Sequence, residues 1–242
     1  MDIRDILKIE DEEQHKFRNE IKYVCSDAEL AILNMRLKPL CKKDAHVGEN
    51  GIYRIRSAYF DDRFNSCYME NENGNDKREK FRVRIYNADS SRITLECKFK
   101  ERAMTRKEST PITLEMYRAM VDGTFKVPED RKDDRLLNKF FIRYEKDMLR
   151  PVIIVAYERT PFVYTAGNVR ITFDRSIGYS RDVEKLFDPY LPLVPIMEKG
   201  RQILEVKYDE LLPNVLYEAM NLRDLRRETY SKYYLCRKFS AQ

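Results

Sequence analysis

Residues 79–101, EKFRVRIYNADSSRITLECKFKE, decide the fold, because charged and apolar side chains alternate along most of this stretch. Two alternating runs, 79–87 and 91–101, flank turn-forming residues at 88–90, which predicts a β-hairpin. Since a strand places every second residue on the same face, one face of this hairpin is polar and the other is apolar. The polar face carries Lys80, Arg82, Arg84, Thr94, Glu96, Lys98 and Lys100.

Similar alternation predicts further strands at 16–25, 53–61, 104–109, 152–160, 168–179 and 201–209. Helical patterns with apolar stripes accompany them at 2–11, 27–38, 111–121, 131–148, 211–220 and 222–238. The simplest interpretation is an ordinary antiparallel sheet whose polar face meets water. Amphipathic helices need an apolar sheet face to cover, however, which favours charged faces turned inward. The sequence therefore predicts the α+β class, with an antiparallel sheet that closes into a barrel with a charged lumen.

Local charge says more about the ligand than net charge does. The 242-residue chain has a formal net charge of only +5, whereas residues 77–107 contain eleven Lys or Arg and four Asp or Glu. A concentrated positive field attracts polyanions, and a lumen lined by such residues repels itself unless anions or carboxylates balance it. We therefore expect a polyanionic ligand. Nucleic acid is not the expected partner, because basic and aromatic residues form no recognisable RNA-binding pattern.

Cysteine usage and hydropathy indicate the compartment. The five cysteines are odd in number and include no CxxC pair, so neither a disulfide framework nor a zinc site is predicted. This favours a reducing, cytoplasmic location. The longest apolar run, 152–157, is far below the ~20 residues of a membrane span. Without a linker or an internal repeat, a single domain over 1–242 is expected.

Eight short motifs follow one another from residue 18 to residue 233: Arg18-x-Glu20-x-Lys22-Tyr23, Tyr59-Phe60-Asp61, Lys80-x-Arg82-x-Arg84, Leu95-Glu96-x-Lys98-x-Lys100, Tyr157-x-Arg159, Val169-Arg170-x-Thr172-x-Asp174, Leu204-Glu205-Val206-Lys207 and Ser231-Lys232-Tyr233. The ordered set resembles the catalytic domain of the vacuolar transporter chaperone (VTC) family, of the triphosphate tunnel metalloenzyme, or CYTH-like, superfamily. The resemblance implies a closed eight-stranded antiparallel β-tunnel with helices packed on the outside. It also implies one VTC-like domain, without a sensing domain or a transmembrane segment.

The resemblance further implies a polyphosphate polymerase, which moves the γ-phosphate of ATP onto a growing polyphosphate chain and releases ADP, with Mn²⁺ or Mg²⁺ as cofactor. The implied catalytic cations are Arg82, Arg84, Lys98, Arg159, Arg170 and Lys232. The implied phosphate-binding residues are Lys22, Lys80, Lys100, Lys107, Tyr157, Lys207 and Ser231. The family's metal-binding glutamate falls on Glu205, with Glu20 or Glu96 as further candidate ligands. From spacing alone, Ser231 is a helix cap.

One departure bears on the choice of activity. Hydrolytic tunnel enzymes open with ExExK, and the first of these glutamates is replaced by Arg18 here. The loss of one metal-binding carboxylate weakens a hydrolase assignment and is compatible with a polymerase. A triphosphatase and a non-catalytic polyphosphate-binding module remain the alternatives, and the sequence leaves open whether a membrane-protein partner exports the product.

Overall fold

The computed structural model describes residues 17–44, 51–102, 104–222, 225 and 227–241. The chain divides into two compact units. The first unit comprises Met1–Phe17, Ser57–Ile154 and Arg181–Leu191, and the second comprises Arg18–Arg56, Val155–Ser180 and Pro192–Gln242. The helix expected at 2–11 lies outside the described residues, and the single domain stays a prediction.

Ten strands occur in the described chain: β1 (Arg18–Ser26), β2 (Lys42–Lys43), β3 (Tyr53–Asp61), β4 (Arg78–Tyr86), β5 (Asp89–Glu101), β6 (Met104–Pro111), β7 (Arg150–Tyr164), β8 (Val169–Ser180), β9 (Val194–Pro195) and β10 (Arg201–Tyr208). The α-helices of the same residues are α1 (Asp27–Leu37), α2 (Ser66–Glu72), α3 (Leu114–Asp122), α4 (Arg135–Lys146), α5 (Asn214–Met220) and α6 (Lys232–Ser240). None of these helices has the length and apolar character that crossing a membrane requires.

The strands form one hydrogen-bonded sheet in the order β2-β7-β3-β4-β5-β6-β1-β10-β8-β9, and β7 also pairs with β8. The eight long strands therefore close on themselves, while β2 and β9 are two-residue additions. This confirms the predicted fold class: α+β, with a closed eight-stranded antiparallel barrel and six helices.

The hairpin of β4 and β5 has the faces that its sequence predicts. Phe81 pairs with Cys97 and Val83 with Leu95 on the apolar face. The turn is one residue earlier than expected, because Asn87 and Ala88 take left-handed backbone angles, with φ of 53° and 58°. Positive φ at both central residues is the geometry of a two-residue hairpin turn, whose twist matches that of the flanking strands.

In the first unit, α3 and α4 pack on this apolar face. Phe140 of α4 is fully buried, and its ring centroid lies 5.0 Å from that of Phe60 and 5.3 Å from that of Phe81. The expected helix start at Pro111 is wrong. Pro111 ends β6, and α3 begins after Thr113, whose side chain accepts a hydrogen bond from the Met116 amide.

In the second unit, α1 covers the apolar face of β1, β8 and β10. Ser26 and Glu29 form a capping box, and Leu30, Leu33 and Leu37 are buried against the strands. Each such leucine contributes roughly 2 kcal/mol relative to an exposed one.

The C-terminal helix begins later than the pattern at 222–238 predicts. Within the described part of that range, Arg227 forms a β-bridge with Tyr23, and the Glu228 amide donates to the Lys22 carbonyl oxygen at 2.9 Å. These residues bond to β1 instead of to one another, so α6 starts only at Lys232.

Candidate functional site

The polar face of β4, β5 and β6 in the first unit is dominated by positive charge. Lys80 pairs with Lys98, Lys98 with Lys107, and Arg82 with Glu96 across the strands. We call this set the cation face: Lys80, Arg82, Arg84, Lys98, Lys100 and Lys107, with Glu96 among them. The structure thus brings together on one surface six predicted ligand-binding residues and one predicted metal ligand. Arg78, which pairs with Lys100, extends this face; the predicted strand began one residue too late to include it.

Glu96 is the anionic centre of the cation face. Its carboxylate is 2% exposed and lies 2.6 Å from Arg82 Nη2, 3.7 Å from Arg84 Nη1 and 3.2 Å from Lys107 Nζ. Burial raises the pKa of Glu96, but these three cations outweigh burial and hold the pKa well below its usual value. Glu96 is therefore an ionised counter-ion for part of this positive charge. Its role as a metal ligand stays a prediction.

Two side chains of β3 fix the guanidinium groups. Arg82 Nη1 donates to the Tyr59 hydroxyl at 2.8 Å, and Arg84 Nε donates to Ser57 Oγ at 3.2 Å. The Arg82 guanidinium also lies 5.6 Å from the centroid of the Tyr59 ring. Neither residue was among the predicted site residues, although the two lie two positions apart and therefore on the same face of β3. Held in this way, the two arginines lose less conformational freedom when they bind an anion.

Lys80 of the cation face has a strongly lowered pKa. Burial lowers its pKa to about 7, and Arg78 acts in the same direction. An anion beside Lys80 would favour the charged form and raise this pKa. The charge on the cation face therefore changes near neutral pH and responds to a ligand.

In the second unit, β1 and β10 carry two lysines and two glutamates in a checkerboard. Glu20 pairs with Lys207 and Lys22 pairs with Glu205 across the strands. We call these four residues the ion-pair square. Lys22 Nζ lies 2.9 Å from Glu20 and 3.6 Å from Glu205, and Lys207 Nζ lies 2.9 Å from Glu205 and 3.8 Å from Glu20.

The pKa values of Lys22 and Glu205 are shifted in the directions expected of ion pairs. Burial opposes the charge on Lys22, yet Glu20 and Glu205 outweigh it and raise its pKa. Burial likewise opposes ionisation of Glu205, and Lys207 and Lys22 outweigh it, so its pKa lies well below the usual value. Lys22 and Glu205 are therefore held in their charged forms, and the square contains two cations and two carboxylates.

Asp174 organises the neighbouring cations. Its carboxylate is fully buried, accepts from Arg159 Nε at 2.6 Å and Nη2 at 2.8 Å, and lies 2.5 Å from Lys232 Nζ. Burial raises the pKa of Asp174, but both cations oppose burial and the net shift is downward. Arg159 also lies 3.9 Å from Glu205, which links this group to the square. Sequence analysis placed Asp174 on the polar face of its strand but gave it no role in the site.

The remaining predicted residues lie around Asp174 and at β8. The Tyr157 ring centroid is 5.2 Å from the Arg159 guanidinium and 4.9 Å from Lys232 Nζ. Ser231 caps α6, since its hydroxyl accepts from the Tyr234 amide at 3.3 Å. A phosphate-binding role for Ser231 stays a prediction.

Arg170 and Arg18 have counter-ions that the sequence did not reveal. Arg170 Nη2 lies 2.5 Å from Asp44 and donates to the Tyr53 hydroxyl at 2.9 Å. Arg18 Nε lies 2.9 Å from Asp209. Both carboxylates are far away in the chain and directly follow strands, and no pattern in the sequence links them to these two arginines.

A divalent cation fits the ion-pair square better than it fits Glu96. Glu20 and Glu205 both contribute carboxylate oxygens to the square, and each lies within 4 Å of the same two lysines. Mg²⁺ or Mn²⁺ is commonly held by one or two carboxylates together with phosphate oxygens. In the described residues there is no group of three or more His, Cys, Asp or Glu side chains suited to a metal. A cation at the square would therefore depend on further ligands from phosphate or water.

Comparison with known proteins identifies the family. The family model described as the VTC domain matches residues 17–240. Among solved structures, the PH1819 protein of Pyrococcus horikoshii is 12% identical, with 92% of this chain and 99% of that chain covered and a TM-score of 0.44. The Mimivirus capping enzyme triphosphatase is 12% identical, with 90% and 94% covered and a TM-score of 0.35. At these TM-scores neither likeness supports an inference about activity. No curated protein matches the chain.

Proposed function

Because the chain belongs to the VTC domain family, we propose that it is a polyphosphate polymerase. In this proposal it transfers the γ-phosphate of ATP to the end of a growing polyphosphate chain and releases ADP. The reaction takes place in the cytoplasm, within a single domain, and depends on Mn²⁺ or Mg²⁺. ATP and inorganic polyphosphate are the partners, and nucleic acid is not one.

The observation that carries the proposal is the excess of cations on the cation face. Six lysine and arginine side chains accompany one glutamate on three adjacent strands. Like charges held this close repel one another, so the empty face is strained electrostatically and an anion relieves the strain. A polyphosphate or a nucleoside triphosphate supplies a row of negative oxygens to such a row of cations.

Phosphoryl transfer needs positioning and charge neutralisation more than covalent help from the protein. A terminal oxygen of the acceptor chain forms a bond to the γ-phosphorus, and the bond from that phosphorus to the bridging oxygen of ADP breaks. The acceptor oxygen is already ionised, so no general base is required. Arginine suits the phosphates of ATP because its planar guanidinium group can donate hydrogen bonds to two oxygens at once.

The residues divide into three proposed roles. The cations assigned to the transferring phosphoryl group are Arg82, Arg84, Lys98, Arg159, Arg170 and Lys232. The residues assigned to the remaining phosphates are Lys22, Lys80, Lys100, Lys107, Tyr157, Lys207 and Ser231. Glu205 and Glu20 are assigned to the divalent cation, which would supply charge neutralisation at the phosphate oxygens.

Arg18 supports the choice of a polymerase over a triphosphatase. It takes the position at which hydrolytic tunnel enzymes have their first glutamate, and it forms an ion pair with Asp209. The substitution replaces a metal-binding carboxylate with a cation, and a cation there favours a further phosphate over a second metal.

The test is an incubation with ATP and Mn²⁺ in which ADP, free phosphate and long-chain polymer are measured together. A polymerase yields ADP and polymer in matching phosphate equivalents. Free phosphate without polymer would establish a triphosphatase. Binding of tripolyphosphate with no turnover would leave a polyphosphate-binding module, and no binding at all would contradict the whole proposal.

A further inference from the structure

The two lysines of the ion-pair square are held differently. Lys22 Nζ also donates to the Tyr230 carbonyl oxygen at 2.8 Å, and its side chain is 16% exposed. Lys207 is 30% exposed, and its ion pairs with described residues are those with Glu205 and Glu20. Lys22 is therefore fixed by a backbone acceptor as well as by the carboxylates, whereas Lys207 can swing away by breaking ion pairs alone.

Lys207 and a divalent cation need the same oxygens. Glu205 Oε1 lies 2.9 Å from Lys207 Nζ, and Glu20 Oε2 lies 3.8 Å from it. A dication bound to these carboxylates would stand beside an ammonium group at short range, where repulsion between like charges is strong. The two positive groups therefore compete for the pair of carboxylates.

We propose that Lys207 acts as an exchangeable counter-ion, which holds Glu20 and Glu205 in the empty protein and moves to a phosphate oxygen when a divalent cation takes its place. This inference rests on the proposed function, since it assigns the metal to these two glutamates.

The exchange couples the two ligands. Without phosphate, Lys207 would lose its ion pairs with Glu20 and Glu205 if it moved away and would gain no anion in return. Its ammonium group therefore stays beside the carboxylates and opposes metal binding. With phosphate present, its ammonium group gains a new anion, and the carboxylates become available. Because such coupling is reciprocal, each ligand strengthens the binding of the other by the same factor. Lys207 thereby keeps the empty protein from binding metal tightly before its phosphate ligand arrives.

The experiment measures Mn²⁺ binding to the ligand-free protein, with unbound Mn²⁺ counted by its electron paramagnetic resonance signal. Lys207→Met and Lys207→Gln both remove the competing charge, and we expect each to bind Mn²⁺ about tenfold more tightly than the unsubstituted protein, or better. Lys207→Arg keeps the charge and should bind Mn²⁺ weakly, as the unsubstituted protein does. Lys199→Met, at an exposed position, makes the same change in net charge and should leave Mn²⁺ affinity unaltered.

Equal or weaker Mn²⁺ binding by both neutral variants would overturn the inference, and so would a failure of every protein to bind Mn²⁺. Circular dichroism shows whether each variant is folded. If one of the two neutral variants is unfolded, the other is used for the comparison of Mn²⁺ affinity. Tripolyphosphate binding in EDTA by the unsubstituted protein is measured in parallel. Its absence would contradict the proposed function and the move of Lys207 to phosphate, whereas tighter Mn²⁺ binding by the neutral variants would still establish competition for the carboxylates, so the two failures are distinguishable.

Discussion

The cation face of the first unit and the polar network of the second unit both carry positive charge, but they differ in how far carboxylates of the fold neutralise it. On the cation face, six lysine and arginine side chains share the polar side of β4, β5 and β6 with one glutamate, Glu96. In the second unit, Lys22, Arg159, Lys207 and Lys232 are matched by Glu20, Asp174 and Glu205, each within an ion pair. The first arrangement gains most from an external anion, whereas the second is largely neutralised by the fold itself. Substitutions should therefore affect mainly ligand binding in the first unit and mainly folding in the second.

The largest effect is expected from Asp174→Asn in the second unit. The change leaves Arg159 and Lys232 buried without their shared counter-ion, and breaking a buried pair in this way costs about 3–5 kcal/mol. Urea unfolding should show this loss in the free energy of unfolding. Asp182→Asn removes an exposed ion pair with Lys185 and should change stability by less than about 1 kcal/mol. Similar unfolding midpoints for the two variants would contradict the expectation that substitutions in the second unit affect mainly folding.

Arg82→Ala on the cation face should lower turnover strongly and stability only slightly. Glu96 keeps Arg84 and Lys107 as partners, so the free energy of unfolding should change little. Turnover should fall by about 100- to 1000-fold, the usual loss when a group that stabilises transition-state charge is removed. Arg92→Ala, at an exposed position of the same hairpin, is the matched control. Near-normal turnover together with a large loss of stability would make Arg82 a structural residue.

Glu96→Gln tests whether the cation face lacks negative charge. Loss of the Glu96 carboxylate should destabilise the ligand-free protein by roughly 2 kcal/mol, less than for a fully buried pair because Lys107 is half-exposed. Tripolyphosphate should bind more tightly to this variant than to the unsubstituted protein, since the ligand replaces the missing anion. Calorimetry measures both affinities, and Glu108→Gln on the neighbouring strand β6, where Glu108 pairs with Cys97 of the opposite face, is the control. Weaker binding by Glu96→Gln would show that the carboxylate assists the ligand.

The smallest effect concerns pH and Lys80. Its pKa of about 7 in the empty protein means that the side chain is mostly charged at pH 6 and mostly neutral at pH 8. An anion binds the charged form and raises the pKa, so binding takes up a proton and this contribution to affinity is lost as pH rises. Over that interval it amounts to about tenfold.

Because tripolyphosphate itself titrates in this range, the informative quantity is the difference from Lys80→Met. Affinities of both proteins measured between pH 6 and pH 8 should converge as the pH rises. Parallel pH profiles would show that Lys80 does not change its charge on binding.

Alternation in the sequence was sufficient to find the hairpin and both of its faces. It failed at the hairpin turn, where Ala88 follows Asn87 in the left-handed region, because alanine has no preference for positive φ. It also failed at Arg227 and Glu228, because their hydrogen bonds to β1 override a local helical pattern.

The sequence by itself determined the antiparallel strands, the charged faces and the family, because each of these follows from residues close together in the chain or from the order of motifs along it. Only the tertiary structure decided which charges neutralise one another. Lys232 meets Asp174, and Arg170 meets Asp44 and Tyr53, across separations of 58, 126 and 117 residues. A period of two assigns a side chain to a face of its strand, but the partner of that side chain depends on strand register and on which distant segments pack beside it. For this reason the sequence identified the cations of the candidate site, whereas their counter-ions and the contrast between the two units came from the structure alone.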